Sequence, residues 1–293
     1  MSAIAVERPR ERAGATARRG ASRVLLFLVV LGAIWALWEG YRWLWEREGW
    51  TWPFVVDDTT MPHLHDIFAA LWAPARPGGV GPRLISILVD GALFTAKEAA
   101  VGFALGATIG FVLGAILARF ILLQRGLLPW VVASQTVPIL VVAPMVVVWA
   151  NPKLPDNLKD WGAVSLIAAY LTFFPVTVNT LLGLETVDSK QVALMRSFGA
   201  SNHQLLWRVQ LPTALPQIFV ALRLASSLSL VGAIVGEWFG DTTGLGVLLL
   251  QAMFTENVVA IWGALLASAL LGTSFYAVVA AAERRLVFWS TEQ

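Results

Sequence analysis

Ionisable side chains are sparse in this sequence, and they form no recognisable catalytic motif. None of the four lysines follows a glycine, so a Gly-Lys-Ser/Thr phosphate-binding loop is absent and we expect no ATP hydrolysis by this chain. The chain has no cysteine, which excludes thiolate metal sites and a cysteine nucleophile. His63, His65 and Asp66 form only a weak metal-ligand pattern, so we predict no catalytic residue, no metal site and no cofactor in this chain.

Polar residues and prolines interrupt several long apolar runs. Such residues are costly in lipid and are tolerated where protein or a water-filled cavity satisfies the freed backbone groups. They are therefore candidates for lining a pathway for a polar or heterocyclic solute. The alternative, hydrogen bonds between helices alone, fits each residue about equally well. The candidates are Ser134, Gln135, Thr136, Pro138, Asn179, Ser226, Ser229 and Glu237.

The elements that carry these residues are long apolar segments. Of the 293 residues, 57% are apolar and only 14% are charged, which leaves too little polar surface for a soluble fold. A helix needs ~20 apolar residues to cross a bilayer. The runs also lack the period-two alternation of membrane barrel strands. We predict an all-α polytopic integral membrane protein with about six transmembrane helices, which follow the apolar runs 24–45, 99–118, 126–152, 161–184, 209–236 and 257–282.

Positive charge is distributed unevenly among the segments that connect these runs. If the segments alternate between two sides, the side with both termini carries thirteen of the 21 lysines and arginines. Because positive residues favour the cytoplasmic side, we predict cytoplasmic termini in the plasma (inner) membrane. The net charge of only +2 argues against nucleic acid as a partner. The predicted organisation is a disordered basic tail (1–23), a first span (24–45), an extracytoplasmic segment (46–83), a core of five spans (84–285) and a short cytoplasmic tail (286–293).

Glycine recurs at every fourth position in the second apolar run. Gly102, Gly106, Gly110 and Gly114 therefore share one face of the predicted helix. A face without side chains lets another backbone approach closely. We predict that this stripe packs against a neighbouring helix.

The segment 185–211 connects two apolar runs on the predicted cytoplasmic side. Its periodicity predicts two short amphipathic helices hinged at Gly199, with Pro212 at the start of the next span. The segment is neither low in complexity nor strongly charged, so we expect it to dock on another surface. The residues expected to bury toward the membrane are Leu194, Phe198, Leu205, Leu206 and Val209.

The spacing within this segment resembles the EAA loop of binding-protein-dependent ABC importer permeases. The family pattern is Glu-Ala-Ala, three residues, Gly, nine residues, Ile, one residue, Leu-Pro. The positions that match are Gly199, Leu211 and Pro212, with Val209 in place of Ile. The triplet departs from the pattern, with Ala193, Leu194 and Met195 in place of Glu-Ala-Ala. The glycine stripe, the Ser-Gln-Thr-Val-Pro run at 134–138 and Gly244-Leu245-Gly246 also resemble the sulfonate/nitrate/taurine-type permeases.

This resemblance implies a type I importer transmembrane domain that works as a dimer with two ATPase subunits. The expected partners are a cytoplasmic ABC ATPase that binds ATP and Mg, an extracytoplasmic solute-binding protein, a second copy of the permease and membrane lipid. The loop 185–211 would couple ATP hydrolysis to transport. Its coupling residues would be Ala193, Leu194, Met195, Gly199, Ala200, Val209, Leu211 and Pro212.

The resemblance leaves the solute open. The run at 134–138 is similar to the corresponding run in importers of thiamine-pyrimidine precursors or riboflavin-like heterocycles. Sulfonate or nitrate import is the alternative, although an anion path would need positive charge and the core offers only Lys97 and Arg223. An ion-coupled secondary transporter would need a mid-span acid or repeated halves, and an integral-membrane enzyme would need clustered catalytic groups. The sequence shows neither pattern.

Overall fold

The computed structural model describes residues 9–52, 55–58, 60–75, 81–159, 161–240 and 243–289. Within these ranges every regular element is a helix. The long helices are α1 (Pro9–Glu48), α3 (Leu84–Arg119), α6 (Gly162–Glu185), α9 (Leu211–Gly240) and α11 (Val258–Leu286). The shorter ones are α2 (Leu64–Trp72), α4 (Ile121–Ser134), α5 (Ile139–Ala150), α7 (Ser189–Ser197), α8 (Asn202–Leu205) and α10 (Leu245–Phe254). Two 3₁₀ turns (Asn151–Lys153, Asp156–Leu158) and a π-helical turn (Leu206–Gln210) complete the elements.

Five helical segments in the described residues are long and apolar enough to cross a membrane, and α4 with α5 forms a sixth if the bent pair is one span. The prediction of an all-α membrane protein with about six spans is confirmed. The segments are Leu25–Glu48, Leu84–Arg119, Gly162–Glu185, Asn202–Gly240 and Val258–Leu286.

The third apolar run, predicted as one span, consists of two helices that meet at 98°. The break falls at Gln135–Pro138 because Pro138 has no N–H to donate and disfavours the α conformation at Val137. The Tyr170 hydroxyl donates a hydrogen bond to the Ser134 carbonyl, which ties the break to α6.

The chain divides into two compact units, Met1–Ala69 and Ala70–Gln293. In the first unit α1 extends back to Pro9, where the sequence predicted a disordered tail over 1–23. The extension is rich in Ala and Arg, which are strong helix formers. Residues 1–8 of that tail, and residues 290–293 of the predicted C-terminal tail, lie outside the described residues.

Buried Arg42 fixes the segment after α1 within the first unit. Its guanidinium donates to the Met61 carbonyl at 2.7 Å, to Asp58 Oδ1 at 2.6 Å and to Glu46 Oε1 at 2.9 Å. The Trp38 indole also donates to the Pro62 carbonyl at 3.1 Å. These contacts hold residues 58–62 of the predicted extracytoplasmic segment against α1.

Helix α6 is the centre of the second unit, packed between α3 and α9 along its length. The glycine stripe of α3 faces α6: a Cβ at any of its four positions would lie 2.4–2.6 Å from the nearest α6 atom. Real Cβ contacts are longer, so only glycine permits this approach. Helix α9 also approaches α6 through a glycine, since a Cβ on Gly232 would lie 2.8 Å from Ala168 Cα.

Pro212 is the second residue of α9, as predicted, but no break separates α9 from the elements before it. Helix α8, the π turn and α9 form one continuous apolar helix, Asn202–Gly240. Proline has no N–H and its ring crowds the preceding turn, so a widened π turn accommodates it. The Leu211 N–H accordingly bonds the Leu206 carbonyl, five residues back. The second half of the predicted loop is therefore a rigid extension of the fifth span.

Candidate functional site

The segment between α6 and α9 reverses direction at Gly199, as its spacing predicted. Gly199 has φ +74°, and its N–H bonds the Arg196 carbonyl at 2.9 Å. The Ala200 N–H bonds the Met195 carbonyl at 3.1 Å, and together these bonds close the end of α7. Ser201 then begins α8, with reciprocal side-chain and backbone hydrogen bonds to Gln204.

Helix α7 presents apolar side chains outward, contrary to the predicted burial of Leu194 and Phe198. Leu194 is 58% exposed, Phe198 is 80% exposed, and α7 contains no buried residue. Leu205 is buried as predicted, and Leu206 packs with the cluster around Leu184. The difference arises because α8 continues α9 and packs with it, whereas α7 projects from the bundle.

The predicted coupling residues divide into an exposed set and a half-buried set. Exposed apolar side chains can mark a surface that binds protein or membrane. Trp207 in the π turn is also exposed, at 55%. We call Leu194, Phe198 and Trp207 the loop tip. The exposed coupling residues are Ala193, Leu194 and Gly199. The half-buried ones are Met195, Ala200, Val209, Leu211 and Pro212.

Three of the pathway candidates make contacts typical of helix packing. Asn179 accepts a hydrogen bond at 2.7 Å from Gln217 Nε2 on α9, and it donates to the Pro175 carbonyl at 2.8 Å. Ser226 and Ser229 are fully buried and donate to carbonyls one turn back in α9, at 2.7 and 2.9 Å. The Asn179–Gln217 bond joins α6 to α9, as the alternative of hydrogen bonds between helices describes, whereas both serine bonds lie within α9.

Glu237, a further pathway candidate, is 1% exposed and caps the start of α10. Its Oε2 accepts from the Gly246 N–H at 2.5 Å, and its Oε1 accepts from the Thr95 hydroxyl at 2.5 Å. Thr95 Oγ1 in turn accepts from the Leu245 N–H at 2.9 Å. A carboxylate at a helix N-terminus satisfies free N–H groups and complements the helix dipole.

The Glu237 cap requires glycine at both glycine positions of the Gly244-Leu245-Gly246 motif. Gly244 has φ +129°, and a Cβ there would lie 2.2 Å from Glu237 Cδ. A Cβ on Gly246 would lie 2.8 Å from Glu237 Oε2. Thr95 was not among the predicted site residues. The available signal was the helix start at Gly244, seven residues after an acid that could cap it.

The remaining candidates, Ser134 to Pro138, lie at the break between α4 and α5. Thr136 and Pro138 are exposed, whereas Ser134 and Gln135 are half-buried. The break places irregular backbone within a candidate membrane span. Such backbone is tolerated at that depth only where protein or water satisfies its polar groups.

The two positive side chains of the predicted core have different environments. Arg223 Nη1 lies 3.2 Å from Glu283 Oε2, so its charge is compensated between α9 and α11. Lys97 is exposed, and its Nζ lies 3.9 Å from the centre of the Trp161 ring. A cation over an indole face is stabilised by the ring quadrupole.

One side-chain group in the first unit has the composition of a metal site. Ligand atoms of Glu39, His63 and His65 lie within 4.8 Å of one another. Both carboxylate oxygens of Glu39 are already engaged: one contacts His63 Nδ1 at 2.7 Å and the other accepts the Leu64 N–H at 3.0 Å. Glu39 therefore caps the first turn of α2 through the Leu64 N–H and is held there by His63. Asp66 pairs with His65.

The chain matches known proteins both in sequence and in fold. A family model described as "Binding-protein-dependent transport system inner membrane component" matches residues 106–288. The fold is similar to a chain of the inward-facing MetNI methionine ABC transporter, with a TM-score of 0.61, 19% identity, and coverage of 71% of this chain and 99% of that one.

Curated relatives carry several transport names. The formylaminopyrimidine transport permease ThiX of Halalkalibacterium halodurans is 34% identical over 170 residues, which cover 58% of this chain and 65% of the relative, slightly less than two thirds. The riboflavin transport system permease RibX of Chloroflexus aurantiacus is 34% identical over 218 residues, 73% of this chain and 79% of the relative. The putative aliphatic sulfonates permease SsuC of Bacillus subtilis is 29% identical over 208 residues, which cover 69% of this chain and 73% of the relative.

Proposed function

Because the chain belongs to the family of binding-protein-dependent transport system inner membrane components, we propose that it is the permease subunit of an ATP-driven importer. In this role it receives a solute from an extracytoplasmic binding protein, while a separate ATPase subunit binds ATP and Mg. The observation that carries the proposal is the family match over 106–288, which includes the projecting loop. The proposed cellular site is the inner membrane.

The loop tip is the proposed contact with the ATPase. Leu194 and Phe198 would insert into an apolar groove on that subunit, because their burial there removes apolar area from water. Movement of the ATPase would reach the membrane through Asn202–Gly240, since this helix is continuous from the loop into the bundle. Gly199 would set the angle at which α7 meets that helix.

Topology can be tested directly because the chain has no cysteine. We propose that the loop and both termini are cytoplasmic, which places α10 on the opposite side. Single cysteines at exposed Ala193 and Met253 would then react differently with a membrane-impermeant maleimide in intact cells. Labelling of Met253→Cys but not of Ala193→Cys is expected, and the reverse pattern contradicts this orientation.

The proposed solute is a small neutral heterocycle, such as a thiamine-pyrimidine precursor or a riboflavin-like compound. Two relatives named for formylaminopyrimidine and riboflavin transport support this class. Compensation of Arg223 by Glu283 supports it as well, because it leaves little free positive charge for an anion path. Sulfonate import is the second candidate, favoured by the similarity to SsuC and by exposed Lys97.

Co-purification is the experiment that tests the function. The tagged chain, expressed with its native neighbours and extracted in mild detergent, should retain a stoichiometric P-loop ATPase. Phe198→Ser should lose that ATPase, whereas Phe254→Ser should retain it. The two phenylalanines are matched, at 80% and 81% exposure, and Phe254 ends α10 on the other side. Equal retention by both variants would contradict the proposed contact.

Transport assays separate the remaining alternatives. Uptake by the reconstituted complex should require ATP and should stop with vanadate. Transport by the chain alone, without ATP, would instead establish an ion-coupled secondary transporter. Competition by a formylaminopyrimidine, riboflavin or an alkanesulfonate would then identify the solute class. Gel filtration of the complex would test the proposed pairing with a second copy of this chain.

A further inference from the structure

A cavity of about 520 Å³ lies between the end of α3 and the loop. Its walls come from the last turns of α3, from Leu184 at the end of α6, and from α7, α8 and the π turn. It belongs wholly to the second compact unit. The pathway candidates do not line it, and the loop tip is outside it.

The polar residues of this cavity are positively charged or neutral. Arg119 and Arg196 line it, together with Asn202, His203 and Gln210, and its lining contains no acidic residue. Both arginines are exposed, and within the described part of the chain neither forms an ion pair. The cavity therefore presents positive charge that no described carboxylate compensates.

The α3 wall, which also carries Arg119, is otherwise apolar and partly exposed. Val112, Ile116 and Phe120 line the cavity from α3 and are 49%, 39% and 55% exposed. They lie within or directly after the apolar span that ends at Arg119. Exposed apolar side chains along the span, with two arginines at its end, match the order of acyl chain and charged headgroup in a lipid.

We propose that this cavity binds an anionic phospholipid from the cytoplasmic leaflet. The phosphate would contact Arg119 and Arg196, while Asn202 and Gln210 would donate to headgroup oxygens. One acyl chain would lie along Val112, Ile116 and Phe120. Assignment of this end to the cytoplasmic leaflet rests on the proposed function, whereas the binding itself does not.

Lipid retention by the purified chain tests this inference without any transport assay. The chain is exchanged into nanodiscs or micelles that contain phosphatidylglycerol and phosphatidylcholine, and bound lipid is measured by native mass spectrometry. We expect preferential retention of phosphatidylglycerol. Arg119→Gln should weaken it about fivefold, because one basic residue near a charged lipid surface contributes about that factor.

Two further variants separate charge from folding. Arg125→Gln removes an exposed arginine from α4 that does not line the cavity, and it should retain the lipid as the unmodified chain does. Arg119→Lys keeps the charge and should retain most of the binding. Equal loss in the Arg119→Gln and Arg125→Gln variants would overturn the proposal, as would no loss in either.

The source of the bound anion is tested by competition. Excess inorganic phosphate should not displace phosphatidylglycerol, because phosphate lacks the acyl chain that contacts α3. Displacement by phosphate alone would overturn the lipid assignment in favour of a free anion. Exclusion of the lipid when the ATPase is bound would overturn it in favour of a protein occupant. If the chain proves to have no ATPase partner, preferential phosphatidylglycerol retention would still support the site.

Discussion

Substitution of Gly106 by alanine should force α3 and α6 apart. The new Cβ would lie 2.4 Å from the Ala169 carbonyl oxygen, 2.7 Å from Thr172 Cβ and 3.0 Å from Ala169 Cα. Two of these atoms are backbone, so no rotamer change can remove the overlap. The helices must separate by about 1 Å, which also loosens dispersion contacts along the rest of the stripe.

The expected magnitude follows from opposing contributions. Alanine is about 1 kcal/mol better than glycine in a helix. Overpacking of a close contact costs about 1–3 kcal/mol and more where the backbone must move. Gly126→Ala in α4 is the matched control, because no atom lies within 4 Å of its added Cβ. The control should gain stability. Because the helix-propensity gain is common to both variants, they should differ by the overpacking cost of about 1–3 kcal/mol.

Thermal unfolding in mild detergent, followed by tryptophan fluorescence, measures this difference. Since about 1 kcal/mol corresponds to ~2–4 °C for a domain of ~150–250 residues, Gly106→Ala should unfold several degrees below Gly126→Ala. A Gly106→Ala melting temperature equal to or above that of the control would refute the assigned close approach. Gel filtration of both variants checks that each is folded before heating.

Three further predictions concern other contacts. Thr95→Val should lower the free energy of unfolding by about 1–3 kcal/mol, because the Leu245 N–H loses its acceptor. Thr108→Val is the control and should change this free energy little, because its exposed hydroxyl bonds only its own helix. Chemical denaturation would compare the two variants. Gly199→Val should cost about 1–3 kcal/mol of backbone strain, because a β-branched residue disfavours φ +74° although space is open. The variant should still fold but lose ATPase retention, and retention would count against the hinge. A double-mutant cycle on Arg223 and Glu283 should give a coupling above about 0.5 kcal/mol, and additivity would argue that the ion pair contributes nothing.

Periodic and compositional features of the sequence predicted the helices and one packing face well. The apolar runs give the spans because a bilayer demands a length and a composition that can be counted. The glycine stripe predicted a packing face because the four-residue spacing is itself a helix face. The corner at Gly199 was predictable because few residues other than glycine adopt a positive φ.

The side chains with ambiguous roles were predicted less well. Glu237 and the buried serines were candidates for a pathway because polar residues in apolar runs have two possible roles. The serines donate to carbonyls three residues back in their own helix, whereas Thr95, the partner of Glu237, lies 142 residues away in the sequence. No local pattern links such pairs, so the choice between lining a path and capping a helix needed the folded contacts.

The sequence by itself determined the class of this protein: an all-α membrane chain with a family-specific loop, since hydrophobic length, charge bias and fixed spacings are properties of the linear chain. Tertiary structure alone decided which of its polar groups are buried and which apolar groups are exposed. Phe198 is exposed because α7 projects from the bundle, and Leu205 is buried because the proline-tolerant π turn joins it to α9. It also decided that uncompensated Arg119 and Arg196 line one cavity, because the end of α3 meets the loop only in the folded chain.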